Sequence, residues 1–207
     1  MSHYFETPAG PQRRFEVEAR LAGRRLSLVS ARGVFSGSGL DVGTSVLLRA
    51  APIPSGPVQL LDLGCGIGPI TVALGLAAPQ ASITAVDVND LALELTRENT
   101  ARAGLGSRVQ VLRPEAVDPA VGFDQIWSNP PIRIGKPALH QLLQAWLPRL
   151  VPGGSAYLVV ARNLGADSLA AWLDRCGWGC SRIASAKGFR VFAVTRADDA
   201  TRLGIST

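Results

Sequence analysis

The sequence predicts an α/β fold: a mostly parallel seven-stranded sheet covered by helices on both faces, with one strand antiparallel, preceded by a small N-terminal β-hairpin. Three observations carry this expectation. From Val58 onward, short apolar strands alternate with segments of helical period. Those strands read as continuous apolar runs, as strands buried on both faces do. The last two are joined by only Ala186-Lys187-Gly188, too short for a crossover, so one of that pair runs antiparallel.

The elements follow in order. Two alternating runs, Phe15 to Leu21 and Arg25 to Val29, flank Ala22-Gly23-Arg24 and read as the hairpin. "GVFSGSGLDVGTSVLLRAAPIPSGP" then gives a Gly/Ser loop, a short helix from about Gly43 to Ala51 and a Pro-rich connector. The core is expected as strand 58–63, helix from about 68, strand 82–87, helix 90–103, strand 108–112 and strand 123–128. Helix 137–150, strand 155–160, helix 166–176 and a strand pair near 180–196 complete it. This divides the chain into an extension (1–56) packed on the core, a core domain (57–197) and a tail (198–207).

The 207 residues suit one domain with a small appendage, and shares of 47% apolar and 18% charged describe an ordinary globular protein. No apolar run approaches the roughly 20 residues of a membrane span. "MSHYFETPAG" has no basic stretch followed by an apolar one, so a cytoplasmic enzyme or binding module is expected. Cys65, Cys176 and Cys180 are an odd count and read as reduced thiols. Cys176 and Cys180 lack a matching histidine pair, since only His3 and His140 exist, and no metal site is expected. His140, within a helix, reads as surface or core, and Trp127, Trp146, Trp172 and Trp178 read as core.

The formal charge of +5 is almost wholly arginine, because Lys136 and Lys187 are the only lysines. Arginine forks phosphate, so this excess is compatible with nucleic acid, although high-GC codon usage has the same effect. Arg13, Arg14, Arg20, Arg24 and Arg25 gather around the hairpin, and Arg182, Lys187, Arg190 and Arg196 punctuate the last strands. Each group is either a solvated face or an RNA-tracking surface.

The strongest local signal is "VQLLDLGCGIGPITVALG", an apolar strand entering Asp62-Leu63-Gly64-Cys65-Gly66-Ile67-Gly68 and then a helix. Glycines at alternate positions let the backbone turn tightly and a ligand lie against it. The next strand, "SITAVDVND", ends in Asp87, about 20 residues on, where an acid can accept both ribose hydroxyls. A dinucleotide fingerprint has a G-x-G-x-x-G spacing, whereas this loop is G-x-G-x-G followed by Pro69. Asp62, just before it, would receive an ammonium and repel a pyrophosphate. S-adenosylmethionine has an amino group, a ribose and no phosphate, and fits better than a nicotinamide dinucleotide. The bland alternative is a glycine turn that merely packs.

With these pieces the chain resembles the class I S-adenosylmethionine-dependent methyltransferases, and more narrowly the methyltransferase small-domain family, whose best-known members modify guanine-N2 in small-subunit ribosomal RNA. The resemblance runs through "HYF", "GVFSGSGLDVGTSVLL", "LLDLGCGIG", "AVDVND", "SNPPIRIGK" and "KGFRVFAV". It implies a Rossmann-like fold, S-adenosylmethionine as cofactor and RNA as partner. The implied cofactor contacts are Asp62, Gly64, Cys65, Gly66, Gly68, Asp87, Val88, Glu115, Ala116 and Asn129. The implied catalytic turn is Asn129, Pro130, Pro131 and Ile132. Asp41 and Thr44 match the family's block before the core, which implies a place at the methionine end of the cofactor, the alternative being that Asp41 is a helix N-cap.

The Asn-Pro-Pro exit then has a chemical reading beside its reading as a plain stiff turn. An exocyclic amine conjugated to a purine or amide is a poor nucleophile. The Asn129 side-chain oxygen and the Pro130 carbonyl can each accept one N–H and steer the lone pair toward the sulfonium methyl. Pro131 would stiffen the turn and Ile132 pack on the target's face. Many amine methyltransferases carry Tyr or Phe where this chain has Ile132, which disfavours adenine, and bacterial ribosomal members often have His where it has Arg133. The leading expectation is guanine-N2 methylation of ribosomal RNA. The rivals are N-methylation of a protein glutamine or small amine, and a non-catalytic RNA- or partner-binding subunit; intact Asp62, Gly64, Gly66, Gly68, Asp87 and Asn129 argue against decay.

Overall fold

The computed structural model of the chain describes residues 13–32, 34, 40–130 and 135–197. β1 (Arg14–Leu21) and β2 (Arg24–Ala31) form a separate antiparallel ribbon. Its turn is two residues long, Ala22 and Gly23 at φ 47° and 77°, a pair whose twist suits tight hairpins. Arg24 therefore opens β2 opposite Leu21 instead of lying in the turn. Val17, Ala19 and Leu21 alternate inward along β1, and Ala19 and Leu21 share a buried cluster with Val72, Ala73 and Leu95.

After α1 (Val42–Ala50) come β3 (Gln59–Leu63), α2 (Pro69–Ala77), β4 (Ser82–Val86), α3 (Asp90–Arg102) and β5 (Val109–Leu112). Then follow β6 (Phe123–Ser128), α4 (Lys136–Trp146), β7 (Leu150–Ala161), α5 (Ala166–Arg175), β8 (Trp178–Ala186) and β9 (Phe189–Arg196). The seven-stranded sheet has the order β5-β4-β3-β6-β7-β9-β8. Neighbours from β5 to β7 pair in parallel, and β9 runs antiparallel to both β7 and β8, so β9 is the reversed strand. Alternate residues feed the two faces. Leu61, Ile126 and Leu158 pack with α4 and α5, whereas Leu60, Trp127 and Val159 pack with α1 and α2.

Three boundaries differ from expectation for local reasons. α4 stops at Trp146 and a 3-10 turn carries Leu147–Arg149, because Pro148 cannot continue the helical ladder. β7 starts at Leu150, so Pro152-Gly153-Gly154, which reads as a loop, is absorbed where the register with β6 shifts between Phe123 and Gln125. The β8–β9 turn is Lys187-Gly188 alone, since Ala186 still pairs with Phe189. Trp127 and Trp146 are buried, but Trp172 and Trp178 are half-buried, the first stacked on His140 and the second under Arg196.

The strand order positions a site. The chain builds outward from β3 through β4 to β5, then crosses back to place β6 on the other side of β3. Loops leaving the carboxyl ends of β3 and β6 must therefore diverge, and such a switch point opens a crevice.

Candidate active site

The two strands at the switch point end on the two motifs. β3 leads into Gly64-Cys65-Gly66-Ile67-Gly68, and β6 leads into Asn129-Pro130. Ser128 locks the ends together, its hydroxyl donating to the Leu63 carbonyl at 2.7 Å. Asn129 thus stands beside the start of the glycine loop. Pro130 is buried, and Pro131, Ile132 and Arg133 lie outside the described residues.

Gly64, Gly66 and Gly68 adopt φ of 78°, 57° and 82°, which side chains rarely tolerate. A Cβ added at Gly66 would meet nothing within 4 Å, so the loop presents bare backbone to open space. The amides of Gly64 and Cys65 both donate to the Val86 carbonyl at 2.9 Å, tying the loop to the end of β4. The Cys65 thiol is buried, which pushes its pKa well up, so this residue contributes backbone and not a thiolate.

Two carboxylates flank the loop. Asp62 is fully buried, with one oxygen accepting from the Thr71 amide at 3.0 Å and hydroxyl at 2.5 Å, while Oδ1 has no hydrogen-bond partner among the described residues. Burial pushes its pKa up to about 7 against the pull of the Thr71 donors. Asp87 follows β4, and its carboxylate accepts from the amides of Gly66 at 2.9 Å and Asn89 at 3.0 Å. Burial raises its pKa as well. Val88, beside it, is an exposed apolar side chain at 46% accessibility. Glu115 and Ala116 are exposed on the 3-10 turn after β5, where Arg113 pairs with Asp90 and with Glu115.

The opposite bank is assembled from distant residues. The Asn129 amide nitrogen donates to Asp41 Oδ1 at 2.6 Å and to Thr44 Oγ1 at 3.0 Å. A carboxylate only accepts, so this contact fixes the amide orientation and leaves the Asn129 oxygen turned away from Asp41. Asp41 is also the N-cap of α1, accepting from the Thr44 amide at 2.9 Å. Both sequence readings of Asp41 stop short of this second contact. Gly43, between them, takes the Phe189 ring so closely that a Cβ would lie 2.8 Å from Cε1.

The sequence reading also missed Asn99. This α3 side chain is 1% exposed and uses its whole amide. Its oxygen accepts from Val29 N at 2.7 Å, and its nitrogen donates to Val29 O and Ile67 O, each at 2.9 Å. Thr96, one turn earlier, donates to Gly66 O at 2.8 Å. β2 is thereby stitched to the glycine loop through α3. A polar residue in an apolar helical period was the available signal.

The basic clusters separate in three dimensions. Arg14 is bound to Glu94 and Glu98, Arg190 to Asp167, and Arg196 to the carbonyls of Pro148 and Leu150, so these serve structure. Arg13, Arg20, Arg24, Arg25, Arg182 and Lys187 are exposed. Among the described residues no group of three or more His, Cys, Asp or Glu side chains could hold a metal ion, and no helix is long and apolar enough to cross a membrane.

Comparison with known proteins agrees with this layout. The methyltransferase small domain family matches residues 25–193. The uncharacterized protein YbxB of Bacillus subtilis is 30% identical over 192 residues, covering 91% of this chain and 95% of that protein. Ribosomal RNA large subunit methyltransferase G of Ectopseudomonas mendocina is 32% identical over 198 residues, covering 92% of this chain and 52% of that one. Ribosomal RNA small subunit methyltransferase C of Pseudomonas entomophila is 35% identical over 177 residues, covering 83% and 51%. The T. thermophilus 16S rRNA N2 G1207 methyltransferase, solved with AdoMet and guanosine, superposes with a TM-score of 0.78 at 24% identity, over 91% of this chain and 52% of that chain. The chain spans nearly the whole of the B. subtilis relative but about half the length of the ribosomal RNA methyltransferases it matches.

Proposed function

The chain belongs to the methyltransferase small domain family, and we propose that it is an S-adenosylmethionine-dependent N-methyltransferase acting on guanine-N2 of ribosomal RNA. The residues present fit the cofactor on three counts. Gly66 offers open backbone, Asp62 keeps a buried oxygen without a partner, and Asp87 is held by two amides with its carboxylate at the loop's edge. Asp87 would hold the ribose hydroxyls and Asp62 would face the ammonium. Gly64, Cys65 and Gly68 would shape the loop beneath it. Val88 gives the adenine an apolar neighbour, with Glu115 and Ala116 on its outer side.

The observation that carries the reading is the Asn129 amide, clamped by Asp41 and Thr44 with its oxygen left to accept. When bound, S-adenosylmethionine would supply an electrophilic methyl to the amine nitrogen, its carbon–sulfur bond breaking in line to leave a neutral thioether, and the methylated nitrogen would then lose one proton to solvent. The chain's task is to aim that lone pair. Asn129 Oδ1 and the Pro130 carbonyl would take one amine N–H each, so the lone pair is left pointing along the remaining direction. In this reading Asn129 also borders the cofactor's methionine end, while the parts that the sequence suggests for Pro131 and Ile132 fall outside the described residues. A strong base is not needed, because the amine proton becomes acidic only after transfer. We take the extension (1–56) and core (57–197) as one working unit, supported by the shared buried cluster and the Asn99 stitch. Such a substrate goes with a cytoplasmic enzyme.

Incubation of the protein with methyl-labelled cofactor and either total RNA or total protein tests the reading. Label in RNA, recovered as N2-methylguanosine by nucleoside mass spectrometry, is the expected result. Label confined to protein would transfer the same Asn129 chemistry to a glutamine amide, and label in neither would remove the enzymatic reading.

A further inference from the structure

We infer that the RNA strand is gripped at the mouth of the crevice by Lys136, Arg162 and Lys187, and not by the tip of the N-terminal hairpin; the inference rests on RNA being the substrate. These three cations come from three elements that converge on the edge of the sheet where Asn129 stands. Lys136 opens α4 just past the Asn-Pro-Pro exit, and its Cε lies 3.5 Å from where a Cβ on Gly165 would be. Gly165 closes the 3-10 turn that Arg162 opens at the end of β7. The Arg162 amide donates to Gly188 O at 2.9 Å, which fastens that turn to the β8–β9 hairpin tip carrying Lys187. Phe189, next along, packs on Gly43, between the two residues that hold Asn129.

Charge balance separates this bank from the other. Lys136, Arg162 and Lys187 are exposed, and the nearby Arg190 is already neutralised by Asp167. Across the crevice Arg113 is engaged by Asp90 and Glu115, and Asp87 adds a further carboxylate. A polyanion entering the mouth is therefore drawn to the β7–β9 side. Leu164, 46% exposed in the Arg162 turn, adds apolar surface for a ribose or base edge beside those cations.

The hairpin tip lies elsewhere. Along β1, Arg14 meets Glu94 and Glu98 and Glu16 meets Arg102, so the strand runs with α3 toward that helix's C-terminal end, away from the crevice. The hairpin is tied to the glycine loop at Val29, and Arg24 and Arg25 stand four to five residues farther along the same strand. At about 3.3 Å per residue that is roughly 15 Å beyond the loop.

The test compares the full-length triple variant Lys136→Gln/Arg162→Gln/Lys187→Gln with Arg24→Gln/Arg25→Gln. RNA affinity as a function of salt, cofactor affinity and single-turnover methyl transfer at saturating RNA are measured for each. In the triple variant the log–log salt slope should flatten by about 2, from ~0.7 per lost phosphate contact on a single strand, and KM for RNA should rise at least about tenfold. Turnover at saturating RNA and cofactor affinity should stay near wild type. Lys187→Gln alone, on an exposed turn, should remove about a third of the slope change and guards against misfolding of the triple variant. A wild-type salt slope in the triple variant, or a larger loss in the hairpin variant, overturns the inference. If the wild-type protein labels no RNA, the substrate reading itself fails and takes the inference with it, and that result is read without any variant.

Discussion

The two banks of the crevice are built on opposite principles. The β3–β4 bank is one continuous stretch, Asp62 to Val88, in which backbone does most of the shaping, with three glycines at positive φ and two amides converging on Val86 O. The β6 bank consists of side chains brought together from far apart, Asn129 reaching Asp41 across 88 residues. The first bank is sensitive to what is added, since its shape is the absence of side chains. The second is sensitive to what is removed, since each of its polar atoms holds another. In functional terms the first should govern cofactor affinity and the second turnover.

The largest expected effect tests that division directly. Asn129→Ala should cut single-turnover methyl transfer by about two to three orders of magnitude, comparable with losing one preorganised polar contact in a closed site. Cofactor affinity should change little, and the fold should survive because Ser128, not Asn129, ties β6 to β3. Near-normal turnover in the folded variant would reduce Asn-Pro-Pro to a stiff exit and erase the distinction between the banks.

One step back from the chemistry, Asp41→Ala leaves Asn129 in place with its amide held by Thr44 Oγ1 alone. Loss of a charge-assisted hydrogen bond is worth roughly 1.5 to 3 kcal/mol, so turnover should fall by about one to two orders of magnitude. Stability should fall by about 1 kcal/mol as α1 loses its cap. Asp41→Asn keeps an acceptor for both contacts and should recover part of the rate. Equal turnover in Asp41→Ala and Asp41→Asn would show that the cap, and not the orientation of Asn129, is what Asp41 supplies.

On the other bank, Asp87→Ala removes the proposed ribose acceptor and the partner of the Gly66 amide. Cofactor binding should weaken by roughly 1 to 3 kcal/mol, which calorimetry reads directly. Turnover at saturating cofactor should fall far less than in Asn129→Ala. A variant that binds normally but turns over slowly would exchange the roles assigned to the two banks.

The same contrast explains what the sequence could reveal. Strand-helix alternation and the short Ala186-to-Gly188 connection were enough for the layered fold and its antiparallel strand, because both are local patterns. The glycine loop and Asp87 were legible for the same reason, lying within one βαβ unit. Asp41's grip on Asn129 was not, because no spacing rule links a helix cap to a strand exit 88 residues away. Arg14 looked like its exposed neighbours, and only the packing of β1 along α3 brings it to Glu94 and Glu98. β7 hid its start because Pro152-Gly153-Gly154 has loop chemistry and sits at a register shift. Leu150 begins the strand two residues earlier.

The smallest effect concerns protons, and it belongs to the cofactor bank alone. Asp62 has a folded pKa of about 7, raised by burial above an ordinary value of 3.8, and the buried Asp87 shifts in the same direction. Between about pH 4 and pH 7 the folded protein therefore holds more protons than the unfolded chain, and its stability in the absence of cofactor should fall as pH rises through that window. An ammonium beside Asp62 Oδ1 favours the ionised carboxylate, so cofactor binding below pH 7 must expel the proton. Affinity should then drop by about fivefold from pH 7 to pH 6, the ratio set by one group titrating at about 7, in a range where an α-amino group stays protonated. Calorimetry in buffers of different ionisation enthalpy should register proton release on binding at pH 6. Asp62→Asn cannot ionise, and it should bind more weakly at pH 7 while losing most of the pH dependence. Turnover at saturating cofactor, governed by Asn129 and Asp41, should keep a flat profile over the same interval. If affinity is flat while turnover follows the proton, the buried carboxylate acts on the reacting amine, and the division between the two banks fails at Asp62.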